Sequence, residues 1–255
     1  MRYNTGMALS WSNQRKFLYA GVVAVIAVAF LLVVYLQFFT TAPICFDGTL
    51  NGDEHGIDCG GSCALFCTDQ ARPPIVLWAR VFEVGPSTYT AAAYVRNPNP
   101  GAATRDVAYS FQLFDEKNLL VTERTGTIDI PAVQTVPFID TNINVGNRTV
   151  THALFAFSEE PRWYKAASVP QLRVRNQYLA PDASQLSATV ANDSINNVDK
   201  VTIVAVLFDA DGIARAASRS VLQRVPRKGS QDVTFTWSGG VKNIIRAEIT
   251  VLPSF

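Results

Sequence analysis

Between Phe17 and Phe39 the chain reads FLYAGVVAVIAVAFLLVVYLQFF, an unbroken apolar run with no charge and a single amide, Gln37. Such a run exceeds the roughly 20 residues that a helix needs to cross the ~30 Å hydrocarbon core of a bilayer. Lipid offers the backbone no hydrogen-bond partner, so a lone spanning segment has to be helical. The sequence therefore predicts a transmembrane signal-anchor helix over residues 17–39. Trp11, Phe17 and Tyr19 at one end, with Tyr35, Phe38 and Phe39 at the other, suit the two interfacial aromatic belts. A buried helix of a soluble core rarely goes so long without a charge. A cleaved secretory signal usually has an apolar stretch of only about 7–15 residues, and the small residues Thr40-Thr41-Ala42 run into Pro43, a poor residue to follow a cut.

Flanking charge sets the expected orientation. Arg2, Arg15 and Lys16 precede the run, whereas Asp47, Asp53, Glu54, Asp58 and Asp69 follow it before the next cation, Arg72. The positive-inside rule then leaves residues 1–16 in the cytoplasm and everything beyond the helix extracytoplasmic, periplasmic or at the cell surface. Over the whole chain, 22 basic residues stand against 21 acidic ones. That balance gives no electrostatic footprint for nucleic acid.

All four cysteines, Cys45, Cys59, Cys63 and Cys67, lie close together in residues 43–72. On the far side of a membrane an even, clustered set reads as two disulfides, because a segment this short cannot bury a core and needs covalent closure. Three connectivities are open. Tetrahedral zinc is the rival, but paired C-x-x-C knuckles are absent and the compartment favours oxidation. Asp47, Asn51, Glu54 and Asp58 offer closely spaced oxygens in a glycine-rich loop. Two readings of them stand: a calcium site, since that ion wants 6–8 oxygens, or side chains that cap turns by accepting backbone amides. No EF-hand register fits.

The segment resembles a short cysteine-rich motif recurrent in extracellular and surface proteins, C-x-D-G-x-x-N-G-x-E-x-G-x-D-C-G-G-x-C followed by a further cysteine. Cys45, Asp47, Gly48, Asn51, Gly52, Glu54, Gly56, Asp58, Cys59, Gly60, Gly61 and Cys63 match it. Three residues separate Cys63 from Cys67 where the motif usually has two. The resemblance implies surface exposure more than an activity.

Beyond Pro73-Pro74 the texture changes to short β-branched and aromatic runs broken by Asn, Pro, Gly and Asp. In VAYSFQLF, Val107, Tyr109, Phe111 and Leu113 alternate with their neighbours, which is the period of a strand. VTIVAVLF repeats the phase with Val201, Ile203, Ala205 and Leu207, and each run ends in Phe-Asp before a polar turn. Tyr94-Val95-Arg96-Asn97 aligns with Thr189-Val190-Ala191-Asn192, and Ile130-Pro131 with Val225-Pro226. A repeat of this length is a domain duplication, since each copy holds enough strands to close its own core. The expected fold is mainly β, with two tandem antiparallel sandwiches of Ig-like or fibronectin-like kind over 73–166 and 167–255. The pattern resembles the FxLYD and late-embryogenesis-abundant type 2 family of small β-sandwich domains. Val190, Asn192, Val201, Leu207, Phe208, Asp209, Asp211 and Gly212 carry the likeness best. It implies a binding or spacer module without catalysis.

Little here supports catalysis. Asp209-Ala-Asp211-Gly212 opens like a calcium loop, but Ile213 and Ser220 stand where ligands belong, so it reads as a hairpin turn. His55 and His152 are the two histidines and fall in different modules. No nucleophile elbow, zincin motif, P-loop or dinucleotide fingerprint appears. Trp163-Tyr164, at the end of the first module, is a candidate interdomain or binding pair, and a short connection through Pro170 predicts a semi-rigid rod. The expected function is a membrane-anchored binding or scaffold protein, without enzyme activity, whose partners are the lipid bilayer and an envelope or extracellular protein. The alternative is a carbohydrate- or wall-binding surface module. An extracellular hydrolase would need convergent acids, histidine or metal.

Overall fold

In the computed structural model, residues 11–39, 44–132, 135–166 and 171–253 are described. The Thr40–Pro43 stretch and the expected junction at 167–170 lie outside them, as do residues 1–10. The chain divides into two compact units, Met1–Cys67 and Thr68–Phe255.

In the first unit, helix α1 runs from Trp11 to Phe39 and has 29 residues, about 43 Å at the usual rise. Its apolar stretch, Arg15–Leu36, has no surface buried by the rest of the chain. An unburied apolar helix near the N-terminus is consistent with a signal anchor or a membrane span. Beyond it lies a disulfide-closed loop, Ile44 to Cys67, with almost no regular structure.

The second unit is built of antiparallel sheets arranged as two sandwiches. The first holds β1 (Ile75–Gly85), β2 (Thr88–Arg96), β3 (Ala102–Phe114), β4 (Leu120–Ile130), β5 (Thr135–Asn144), β6 (His152–Phe157) and the short β7 (Tyr164–Lys165). Its sheets have the orders β1-β2-β5 and β4-β3-β6, with β7 paired to the start of β3. The second holds β8 (Leu172–Leu179), β9 (Gln185–Asn192), β10 (Val198–Phe208), β11 (Ala214–Val225), β12 (Ser230–Thr236) and β13 (Arg246–Leu252). Its sheets are β8-β9-β12 and β11-β10-β13. The two strand orders correspond position by position.

Each core is the meeting of two inner faces. In the second sandwich Leu186 and Val190 of β9, Ile203 and Leu207 of β10, and Phe235 of β12 close it. In the first, Phe111, Phe138 and Phe155 pack as an aromatic cluster, with ring centres 4.8 Å apart for Phe111–Phe155 and 5.6 Å for Phe138–Phe155. Asp106 in β3 and Lys200 in β10 both take a left-handed backbone, φ 53° and 51°, and at Asp106 the ladder slips against β4. A bulge of that kind bends the strand and tightens its twist.

The same polar devices hold both sandwiches. Asn97, directly after β2, and Asn192, the last residue of β9, are both buried. The Asn97 amide donates to the carbonyls of Ala102 (2.9 Å) and Pro131 (3.2 Å), and its Oδ1 accepts from the Asn99 amide. The Asn192 amide donates to Asn196 (2.8 Å) and Val225 (3.1 Å), and its Oδ1 accepts from the Ser194 amide. One side chain therefore ties a strand end to its following loop and to the exit of another strand. Asp115 and Asp209 do the same for the β3–β4 and β10–β11 hairpins. Asp115 Oδ1 accepts from the amides of Lys117 and Leu119, and Asp209 Oδ1 from those of Asp211 and Ile213. The Asp209 turn is thus a capped hairpin.

Removing a buried donor strands its acceptors, at about 1–3 kcal/mol for each group left unsatisfied. Asn192→Ala should lower the thermal midpoint of the detergent-solubilised chain well beyond Ser194→Ala, which removes one hydroxyl but leaves the Asn192 amide on its two carbonyls and the Ser194 amide on Asn192. Comparable midpoints for the two variants would count against the role of Asn192.

Candidate functional site

Three places concentrate polar or aromatic groups: the cysteine loop, the contact between the sandwiches, and a cleft beside that contact.

In the cysteine loop the disulfides are Cys45–Cys63 and Cys59–Cys67. Each of the four side chains that sequence offered to calcium accepts at least one hydrogen bond within the loop. Asp58 accepts from the amides of Asp47 (3.0 Å) and Gly48 (3.0 Å), and Asp47 from the amide and hydroxyl of Thr49 and the side chain of Asn51. Asn51 Oδ1 accepts from the Ile44 amide and Glu54 from the Asn51 amide. The Thr49 hydroxyl, followed by its amide, holds the Asp47 carboxyl below the ordinary carboxylate range. Among the described residues, the cluster that approaches ligand geometry is Cys45–Glu54–Cys63. Its sulfurs are joined to each other, so neither is a thiolate. The donor set is that of turn capping, and no calcium or zinc chemistry is derived from it.

The motif glycines follow from the same crowding. A Cβ on Gly56 would lie 2.9 Å from the Cys59 sulfur, and one on Gly61 would run into the Asp53 carbonyl. Asp58→Ala should therefore speed reduction of both disulfides by dithiothreitol severalfold, by freeing the amides of Asp47 and Gly48. Millimolar calcium should leave the wild-type rate unchanged, and protection by the ion would restore the metal reading.

The two sandwiches meet through unlike sheets. Ala92 and Tyr94 of β2 and Ile139 of β5 pack against Val204, Val206 and Phe208 of β10 and Ala214 and Ala217 of β11, with Trp78 and Phe82 of β1 alongside. Tyr94 is the centre. Its ring stacks on Trp78 at 4.6 Å and meets Phe208 edge-on at 6.2 Å, and its hydroxyl donates to Glu248 of β13 at 3.0 Å. Arg246 lies 4.3 Å over the Phe208 ring and pairs with Glu248.

Trp163 and Tyr164 take no part in that packing. β7 pairs along Ala102 and Ala103, which fixes this segment to the first sandwich. Trp163 is buried and Tyr164 is 43% exposed. The aromatic residues found in the contact between the sandwiches are Tyr94 and Phe208, with Trp78 and Phe82 alongside. The signal was present in VTIVAVLF, where Val204, Val206 and Phe208 make the second face as apolar as the first, the mark of a strand covered on both sides. The sandwiches lie face to face, not in an end-to-end rod.

Beside the contact opens a cleft of about 560 Å³. Asp106, Tyr109, Thr127 and Asp129 line it from the first sandwich, and Lys200, Thr202, Arg219 and Gln223 from the second. The left-handed residues Asp106 and Lys200 both border it. The Asp106 amide donates to Asp129 at 3.0 Å. Burial, then the Asp140 charge, pushes the Tyr109 phenol up, while Arg219 and Arg124 oppose. The lining mixes both signs of charge with hydroxyls and an amide, a set suited to hydrogen-bonding a polar ligand. Neither histidine lines it. His152 stacks on Phe114 at 5.2 Å, and His55 accepts from the Gly61 amide in the cysteine loop.

No protein-family model matches the chain, and no curated protein matches it. Among solved structures, it is similar to the crystal structure of red sea bream transglutaminase, at 10% identity and a TM-score of 0.21. The match covers 72% of this chain and 29% of that one, so the chain spans under a third of that protein's length. A likeness this shallow says nothing of activity.

Burial above all, then the charge and hydrogen bond of Glu248, raises the Tyr94 phenol, with Arg246 opposing. The folded state thus favours the neutral phenol. Its contribution is full below the unfolded value near ~10 and is lost as pH climbs beyond it towards the higher folded value. Thermal midpoints of the wild type should fall more steeply above about pH 10 than those of Tyr94→Phe, which removes that group. Parallel curves would mean Tyr94 is not the alkaline-sensitive group.

Proposed function

We propose that the chain is a single-pass membrane protein that presents two locked β-sandwiches outside the cytoplasm and works by binding or scaffolding, not by catalysis. The carrying observation is helix α1, whose uncharged run from Phe17 onward is not buried by protein, in a chain whose other modules already close their own cores. A bilayer is the medium that would take such a surface. The cations at Arg15 and Lys16 and the acids beyond the helix favour an N-terminus inside. The pairing of all four cysteines supports an oxidising space for the remainder.

The corresponding strand orders, the paired Asn97 and Asn192 ties and the Asp115 and Asp209 caps favour a duplicated module of the FxLYD or late-embryogenesis-abundant type 2 kind. Such modules bind or space. Tight packing between them would hold partner-binding surfaces at a fixed angle, which suits a structural subunit of an envelope assembly. The polar cleft beside Asp106 and Lys200 favours a second reading, a carbohydrate-binding surface module.

Protease added outside intact cells, or to spheroplasts where an outer membrane exists, should digest the chain beyond residue 43 and leave a membrane-embedded fragment. A mature N-terminus at Pro43 would refute the anchor. Affinity capture by the full chain in nanodiscs separates the two binding readings. Retention of envelope glycan that Arg219→Ala weakens, at unchanged thermal midpoint, selects the carbohydrate reading; recovery of a protein partner indifferent to that change selects the scaffold.

A further inference from the structure

The disulfide-closed loop carries an apolar surface that its own fold does not use. Phe46 is 93% exposed, and Leu50, Ile57 and Ile44 are also largely exposed. Hydrogen bonds draw the backbone that carries them together. The Asp58 carboxylate accepts from the amides of Asp47 and Gly48, which holds the backbone at Ile57 against that at Phe46. Asn51 accepts from the Ile44 amide, which brings the Leu50 stretch back to Ile44. The two disulfides then close the loop around these crossings. A soluble loop this short gains nothing by presenting a phenylalanine to water, since burying such a side chain is worth about 1.5–3 kcal/mol.

The position of the loop in the chain says what covers this surface. Ile44 follows the last residue of α1, Phe39, by a tether that reaches at most about 18 Å when fully extended. At about 43 Å, α1 is longer than the ~30 Å hydrocarbon core and fills the headgroup zone as well. The loop therefore cannot leave the neighbourhood of the membrane surface. Aromatic and aliphatic side chains at that depth are stabilised among headgroups. The loop has no lysine or arginine but carries Asp47, Asp53, Glu54 and Asp58, so attraction to anionic lipid contributes nothing. Resting on the anchored reading of α1, we infer that the cysteine loop docks on the outer surface of the bilayer, seating Phe46 and its apolar neighbours among the headgroups of zwitterionic lipid.

The test is site-specific photocrosslinking of the full chain reconstituted in phosphatidylcholine vesicles, with a benzophenone amino acid replacing Phe46, Phe30 or Ile195 in turn. Phe30 lies within α1 and reports the anchor; Ile195, an exposed side chain of the second sandwich, reports random capture. A lipid adduct at 46 several-fold above that at 195, with strong labelling at 30, supports the docked loop. Labelling at 30 with position 46 no higher than 195 overturns the docking and leaves the anchor standing. No lipid adduct at 30 overturns the anchored reading, and the docking with it. A protein–protein adduct at 46 in place of lipid assigns the patch to a second copy and overturns the proposal.

Discussion

Contact between two unlike sheet faces governs the larger unit. A sandwich with one apolar face per sheet can stand alone in water, because its outward faces are wetted. Here Ala92 and Tyr94 of β2 and Val204, Val206 and Phe208 of β10 are outward residues of their own sandwiches, and all are buried. Each fully covered Val or Phe is worth about 1.5–3 kcal/mol relative to exposure, so separating the modules would be costly. Tyr94 adds direction to that contact. Its hydroxyl has one partner, Glu248, and satisfying it fixes how β2 is aligned on β13.

That contact also explains which parts of the structure could be read along the chain. Alternation in VAYSFQLF leads directly to β3, and its partner run to β10, because period two is a local property of a strand. Phe-Asp followed by a polar turn leads to the hairpins, since the Asp115 and Asp209 caps use amides a few residues away. Tyr94 had no such local signature. Its partners Phe208 and Glu248 lie far along the chain, and nothing around any of the three reveals the pairing. Trp163 drew attention by its size and its place at the module boundary. The backbone pairing of β7 with β3 put it on the first sandwich, and that ladder is equally silent in the sequence.

The cysteine loop shows a different limit. Its four cysteines announced covalent closure, but spacing alone left three pairings. In the sequence the acids are as consistent with a metal as with turns, and in the structure the amides of Asp47, Gly48 and Asn51 donate to them. An acidic side chain in a glycine-rich loop competes for the same lone pairs in both roles. Which role it takes depends on where the backbone N–H groups aim, and that is set by left-handed residues such as Asp58 and Gly48.

Because the sandwiches join through β1-β2-β5 of one and β11-β10-β13 of the other, the contact is head-to-tail in character, and such joints can propagate without end when both ends stay adhesive. This pair has blunted ends. The free sheet of the second sandwich shows Arg173, Arg175 and the Thr189–Asp232 hydrogen bond to solvent. That of the first shows the Gln112–Glu123 hydrogen bond between β3 and β4. A third module, or a neighbouring molecule, would find charge where the internal joint has alanine and valine. A third layer would lose the apolar contact that joins the first two, so the chemistry of the joint is not repeated on the outward faces.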